Sequence, residues 1–335
     1  MATAPAEQLI LAHTRAVGDV VTMTALVRDI HRRYPGRFRT AVDTTCKDVW
    51  QHNPYLEPLP PAGERKSAGW RRIELSYGGS LKTVHKVRTH FLLAWHTHFE
   101  QETGYPVPLT DPRPDLHLGP DEQRRIVEGR YWVVLPGGKG DFTTKWPLTS
   151  SVQAAVDYLR GLGLKFVQAG AVGGKPAHWN PELKGVTSLV GKTTLREYIR
   201  LIAQAEGVIC TITSAMHIAA AFEKPAVVWA GGREEPWWEA YGNYFPGAFG
   251  PDAKPVRVEH RYLHTMGLLE CSPWTGKVGC WANKCVPTGE DKSRCKLPVI
   301  APSGQVVPKC QALITPEKIA ESVLAYYLDG TLPAP

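Results

Sequence analysis

Apolar and polar positions alternate along the chain in two rhythms. Leu9-Ile10-Leu11-Ala12 is an apolar run of strand length, His13 to Gly18 turns, and from Asp19 the apolar residues Val20, Met23, Leu26, Val27 and Ile30 fall at helical spacing. Pro35-Gly36 ends that helix and Phe38 to Val42 supplies the next strand. The chain therefore opens as a βαβ unit, with its first loop at the carboxyl end of a strand, where such sheets bind ligands. From Asp43 to about Leu118 the pattern is broken by Pro54, Pro58, Pro60, Pro61 and Gly78-Gly79, with one helix predicted around Val84 to Gly104. Pro112 to Pro120 and the polar run Asp121 to Gly129 read as a linker between domains.

Beyond it the alternation resumes. Strands are predicted at Tyr131 to Leu135, Leu164 to Ala169, Val208 to Thr211 and Ala226 to Trp229, and helices at Ser150 to Leu162, Thr194 to Ala205 and Ser214 to Phe222. Thr315-Pro316-Glu317 has the chemistry of a helix start, and that last helix runs to about Leu328. The reading is an α/β chain of two Rossmann-like domains with parallel sheets and an anion-binding cleft between them. Its divisions are residues 1–118, a linker at 119–130, a second domain at 131–265, a cysteine-rich segment at 266–312 and a terminal helix and tail at 313–335.

Length agrees with this division, because 335 residues exceed one ordinary core. No stretch nears the roughly 18 apolar residues of a membrane span, and Met1 to Gln8 lacks the pattern of a signal peptide. A soluble, cytoplasmic protein with reduced thiols is expected. The formal charge of +7 and pI of about 9.0 favour an acidic partner: a nucleotide, a phosphorylated glycan, an anionic membrane surface or a nucleic acid. Between residues 47 and 88, eight Lys or Arg (47, 65, 66, 71, 72, 82, 86, 88) face four acids (48, 57, 64, 74). Such an excess serves an acidic acceptor or is a solvated face.

Candidate chemistry gathers at the loops. Asp19 follows Gly18 at the mouth of the first loop, placed either to take a proton from an acceptor hydroxyl or to cap the helix. In Leu135-Pro136-Gly137-Gly138-Lys139-Gly140, three glycines and a lysine after a strand let backbone N–H groups approach a phosphate, although the Gly-Lys-Ser/Thr ending of a P-loop is missing. Lys145 precedes the next helix. Thr211, Thr213 and Ser214 put three hydroxyls before a small-residue helix, an arrangement suited to a diphosphate, and His217 either touches that ligand or is packed. Five of the seven cysteines, Cys271, Cys280, Cys285, Cys295 and Cys310, lie within about forty residues poor in core formers. A structural zinc or iron on Cys271, Cys280, Cys295 and Cys310 answers that clustering, and free thiols or disulfides are the alternative.

Taken in order, His13-Thr14-Arg15-Ala16-Val17-Gly18-Asp19, Lys145-Trp146-Pro147, Gly191-Lys192-Thr193-Thr194-Leu195, Met216-His217-Ile218-Ala219-Ala220-Ala221 and Lys224-Pro225 resemble the heptosyltransferases of glycosyltransferase family 9, which have the GT-B fold. The resemblance implies inverting transfer of a heptose or hexose from a nucleoside-diphosphate sugar to a hydroxyl of a glycan, lipopolysaccharide, protein or modified DNA. It implies Asp19 as general base, donor contacts from Lys145 and the 213 to 217 turn, and no metal or other cofactor in catalysis; with the glycine-rich loop, the expected donor-binding set is Gly18, Gly138, Lys139, Lys145, Thr193, Thr213, Ser214, Met216 and His217. The family usually has an aspartate before its histidine where this chain has Ile212, Thr213 and Ser214. The cysteine segment is similar to the iron-binding insert of autotransporter heptosyltransferases, where it is structural. Two other readings have a basis in the sequence: a nonhydrolysing nucleotide-sugar epimerase of like architecture, and a non-catalytic nucleotide or nucleic-acid binder suggested by the charge and eleven tryptophans.

Overall fold

The computed structural model describes residues 5–78, 88–174, 177–273, 280, 295 and 297–334. They form two compact units, one of residues 1–123 with 243–256, the other of residues 124–242 with 257–335. Each carries a parallel sheet, in keeping with the GT-B class.

In the first unit, strand β1 (Glu7–His13) lies between β2 (Phe38–Thr44) and β3 (Arg71–Glu74), both parallel to it. Leu9 to Ala12 are buried on both faces, as a central parallel strand requires. Helix α1 (Val17–Arg33) crosses back over the sheet and buries an unbroken run from Val20 to Ile30. That run includes Arg28 and Asp29, and their burial is compensated by bonding. Arg28 clasps Asp29 through Nε and Nη2 at 2.9 and 3.0 Å and donates to the carbonyls of Arg113 and Asp111 at 2.7 Å each. The stretch before residue 118 is thereby fastened to α1 and not free as a linker. Helix α2 (Phe91–Thr103) packs on α1 through Trp95, whose Nε1 donates to Thr22 Oγ1 at 3.0 Å. The predicted helix began at Val84, and residues 79–87 lie outside the described residues.

In the second unit, β4 (Trp132–Leu135), β5 (Phe166–Gln168), β6 (Thr187–Ser188), β7 (Gly207–Thr211), β8 (Ala226–Gly231) and β9 (Arg261–His264) form one parallel sheet in the order β9-β8-β7-β4-β5-β6. The chain winds outward from β4 to β5 and β6, then returns to the other side of β4 as β7. Its topological switch point is therefore the crevice between β4 and β7. Helix α3 (Thr149–Gly161) and the terminal α6 (Pro316–Leu328) bury Val152, Val156, Leu159, Ile319, Val323 and Tyr326 against Trp132, Ile209, Val227 and Trp229. Each such aliphatic side chain contributes about 1.5–3 kcal/mol by leaving water. Helices α4 (Leu195–Gln204) and α5 (Ser214–Ala221) complete the crossovers around β7.

The cysteine-rich segment adds an antiparallel ribbon, Pro298–Ile300 with Val306–Pro308, and a helical turn, Lys309–Ala312. Cys285 and the rest of residues 281–294 lie outside the described residues. No helix among the described residues is long and apolar enough to cross a membrane.

Candidate active site

The loop after β1 delivers Asp19. Helix α1 begins at Val17 with Ala16 at its cap position and no side-chain capping bond, so Asp19 sits within the first turn and not at the cap. Asp19 is thus a first-turn acid of α1, and Ala16 holds the cap position. Its side chain is 17% exposed, with Oδ2 facing His13 Nε2 at 3.7 Å and accepting from the Tyr77 hydroxyl at 3.4 Å. Gly18 lies in the same turn, where backbone N–H groups lack an intrahelical acceptor.

The switch-point crevice of the second unit brings Lys145 near the 212–214 turn. Lys145, at the end of the turn Thr143–Lys145, follows β4, and Thr213, the cap residue of α5, follows β7. Lys145 Nζ donates to the Ile212 carbonyl at 3.3 Å and lies 3.5 Å from Glu234 Oε1, which follows β8. Arg233 pairs with the same Glu234 and donates its Nε to Thr144 Oγ1 at 3.0 Å. Two cations and the start of a helix thus stand at the carboxyl ends of adjacent strands, where a diphosphate would be held by charge and by N–H groups. Thr213 has no side-chain capping bond and turns its hydroxyl to the Thr211 carbonyl, 3.3 Å away.

Other predicted contacts are arranged differently. Gly138 and Lys139 pair antiparallel with Trp179 and His178, and the Gly140 N–H goes to the Ala177 carbonyl at 2.8 Å. The glycine-rich loop therefore closes as a ribbon, not as an open cradle for phosphate. A side chain at Gly137 would strike the Trp179 carbonyl, which explains its glycine. On that ribbon Trp179 stacks on Trp146 at 4.1 Å between ring centroids. Thr193 is half-buried in the turn before α4. Met216 is buried, and so is His217, whose Nδ1 lies 2.8 Å from the Tyr241 hydroxyl and whose Nε2 is 3.6 Å from Glu239. These contacts hold the His217 ring between Tyr241 and Glu239.

Cys280, Cys295 and Cys310 are buried and Cys271 is partly so. Burial, reinforced by Cys310, Cys271 and Cys295, pushes the Cys280 thiol up to about 12, while Arg233 opposes the rise. The Leu297 N–H donates to Cys295 Sγ at 3.3 Å, and backbone N–H groups of Gly232 and Gln311 bond to Cys310. Among the described residues, no group of three or more His, Cys, Asp or Glu is arranged to hold a metal ion. The helical turn carrying Cys310 braces the Lys145 loop, since Gln311 Nε2 donates to the carbonyls of Thr144 and Ala230 at 3.2 and 3.4 Å.

Residues 168–243, which run from β5 past α5 and β8, match the model of glycosyltransferase family 9 (heptosyltransferase). Over that stretch the chain is similar to the heptosyltransferases of this family. No curated protein matches it. Among solved structures it is similar to the ADP-heptose lipopolysaccharide heptosyltransferase II of E. coli, at 16% identity over 97% of this chain and 100% of that one, with a TM-score of 0.58. The family 9 glycosyltransferase of Veillonella parvula gives 13% identity, 96% and 98% coverage and a TM-score of 0.63. TibC, an iron-containing dodecameric glycosyltransferase from enterotoxigenic E. coli, gives 15%, 97% and 77%, and 0.60. At such identities the structural likeness speaks to the fold, and the family match is what favours a transferase over the epimerase and binder readings.

Sequence reasoning passed over the partners of these residues. In the second unit Arg233, Glu234 and Tyr241 lie beyond β8, and in the first Tyr77 lies beyond β3; none carries a local pattern. His13 opens the first motif, and its only signal is its place at the end of β1, one loop before Asp19.

Proposed function

We propose that this chain is a glycosyltransferase that moves a sugar from a nucleoside-diphosphate donor to a hydroxyl acceptor with inversion at the anomeric carbon. The observation that carries the reading is the convergence of Lys145, Arg233 and the 212–214 turn on the switch point of the second unit's sheet. Lys145 and the first N–H groups of α5 would stabilise the charge that grows on the departing diphosphate, a task that needs no catalytic metal. Asp19 would take the acceptor's proton. The acceptor is left at the level of a hydroxyl, with a phosphorylated glycan or modified DNA as its acidic forms. Among the described residues, Arg65 and Arg72 of the basic stretch already pair with Asp43 at 3.1 and 2.5 Å, which lowers the pull of that stretch on an acidic acceptor. A cytoplasmic setting with reduced thiols belongs to the same proposal.

ADP-heptose is the first donor to try, because TibC was solved in complex with ADP-D-beta-D-heptose and heptosyltransferase II is named for ADP-heptose. The test is a thermal-shift screen of ADP, UDP, GDP and CDP sugars. A donor at a hundred times its Kd should stabilise the native state by about 2.7 kcal/mol and raise Tm, whereas a screen in which no sugar nucleotide moves Tm contradicts the reading.

Cys271, Cys280, Cys295 and Cys310 are proposed to hold one structural zinc or iron. Cys310, Cys271 and Cys295 stand near enough to Cys280 to raise its proton affinity, and N–H groups are aimed at the sulfurs of Cys295 and Cys310, as suits thiolates neutralised by a cation. When bound, the ion would supply a cross-link, and Gln311 would pass its rigidity to the Thr144 carbonyl beside Lys145. Protein purified without chelators should contain close to one equivalent of metal by elemental analysis. A metal-free, fully folded preparation removes this part of the proposal.

A further inference from the structure

His13, the last residue of β1, is a buried titratable group that the proposed chemistry leaves unused. It is 3% exposed, and its Nδ1 lies 3.0 Å from the Leu75 carbonyl oxygen. A carbonyl only accepts, so Nδ1 carries the hydrogen. The ring meets Trp95 edge-on with centroids 4.9 Å apart, and Trp95 is held by Thr22, so the ring plane is fixed. Nε2 is thereby turned to Asp19 Oδ2 at 3.7 Å, and it is buried with no hydrogen-bond partner.

The same unit contains a histidine for comparison. His96 also gives Nδ1 to a backbone carbonyl, that of Leu92 at 2.9 Å, but its Nε2 stands 3.1 Å from Asp29 Oδ2, within hydrogen-bond distance. At His13 the gap is too wide for a bond. A lone pair on Nε2 facing a carboxylate oxygen at that separation has no proton between them to share, and one arriving proton would convert the mismatch into a bond.

We infer that His13 is a positioning residue for Asp19 and the final holder of the acceptor's proton, an inference that rests on Asp19 being the base. The acceptor O–H bond breaks as its oxygen bonds to the anomeric carbon. The bond from that carbon to the diphosphate breaks, and the leaving group takes the electron pair. The proton passes to the Asp19 carboxylate and from there to Nε2, whose lone pair forms the new N–H bond. The hydroxyl of Tyr77, which donates to the same Asp19 oxygen, keeps the carboxylate aimed at the ring.

Two measurements on the full chain test this. The first is nitrogen NMR of histidine-labelled protein, with His13 assigned through His13→Gln. At neutral pH, Nδ1 should be protonated and Nε2 unprotonated, and the Nε2 resonance should move in Asp19→Asn. A doubly protonated ring, or a resonance indifferent to Asp19→Asn, overturns the relay. The second is release of ADP from ADP-heptose with water as acceptor. His13→Gln keeps a donor for Leu75 but offers no basic nitrogen, and it should lower kcat about tenfold or more with the donor KM nearly unchanged. In His13→Ala, imidazole should restore turnover and pyrazole, of the same shape but weakly basic, should not. Equal rescue by both overturns the relay in favour of packing. A wild-type chain that releases no ADP counts against ADP-heptose as donor, while the NMR result still decides the pairing of His13 with Asp19.

Discussion

Lys145 is the residue on which donor affinity should depend most. Its Nζ donates to the Ile212 carbonyl at 3.3 Å and lies 3.5 Å from Glu234 Oε1, long contacts that a diphosphate can exchange for its own oxygens. Lys145→Ala should weaken binding of the sugar nucleotide roughly ten- to a hundredfold, the effect of removing a charged hydrogen bond worth about 1.5–3 kcal/mol, as read by calorimetry. An unchanged Kd would remove Lys145 from the site. Asp29 shows how differently a carboxylate behaves when it is structural. Burial acts to raise its pKa, but bonds from His96 and Arg28 outweigh it and hold the group below the ordinary 3.8. Its stabilising contribution is therefore present above that value and lost as pH falls through the depressed one.

Among the elements, α4 is set by its cap. Thr194 accepts from the Glu197 N–H at 3.1 Å while Glu197 Oε2 accepts from the Thr194 N–H at 2.8 Å, so two first-turn donors are satisfied reciprocally. Thr194→Ala should cost about 1 kcal/mol of stability in denaturant unfolding, and a change near zero would show that tertiary packing alone sets the helix. Most such elements were legible in the sequence, because β1, β2, β4, β7 and β8 are apolar runs and α1, α3, α4 and α6 keep helical spacing. β3 was not, since Arg71-Arg72-Ile73-Glu74 buries only Ile73, and β9 was not, since Arg261 to His264 carries few apolar residues; both are outer strands of their sheets. The place of the 213–214 turn at a strand end was legible because it follows β7 directly, whereas Lys145 stands beyond the Gly138–Lys139 ribbon and a short turn. The pairing of the glycine-rich loop with residues 177–179 was not legible, because those partners lie forty positions downstream.

For the whole molecule, the two units should differ in their response to acid. His260 in the second unit is fully buried, and burial lowers its pKa from 6.5 to about 3. The unfolded chain takes up a proton below about pH 6.5 that the folded unit refuses until about pH 3, so stability is lost across that window as pH falls. Asp29 in the first unit contributes no loss until pH drops below 3.8. Acid melts should weaken the second unit first, and His260→Leu should flatten its pH dependence; a single transition with unchanged pH dependence would contradict this assignment. The central claim is that a sugar-nucleotide transferase here works through Asp19, and its most direct test is turnover by Asp19→Asn, an exchange that keeps shape and removes the basic carboxylate. With the donor chosen by the thermal-shift screen, nucleoside-diphosphate release should fall about a hundred- to ten-thousandfold while the donor's thermal shift is retained. Turnover within a few-fold of the wild type would contradict the account.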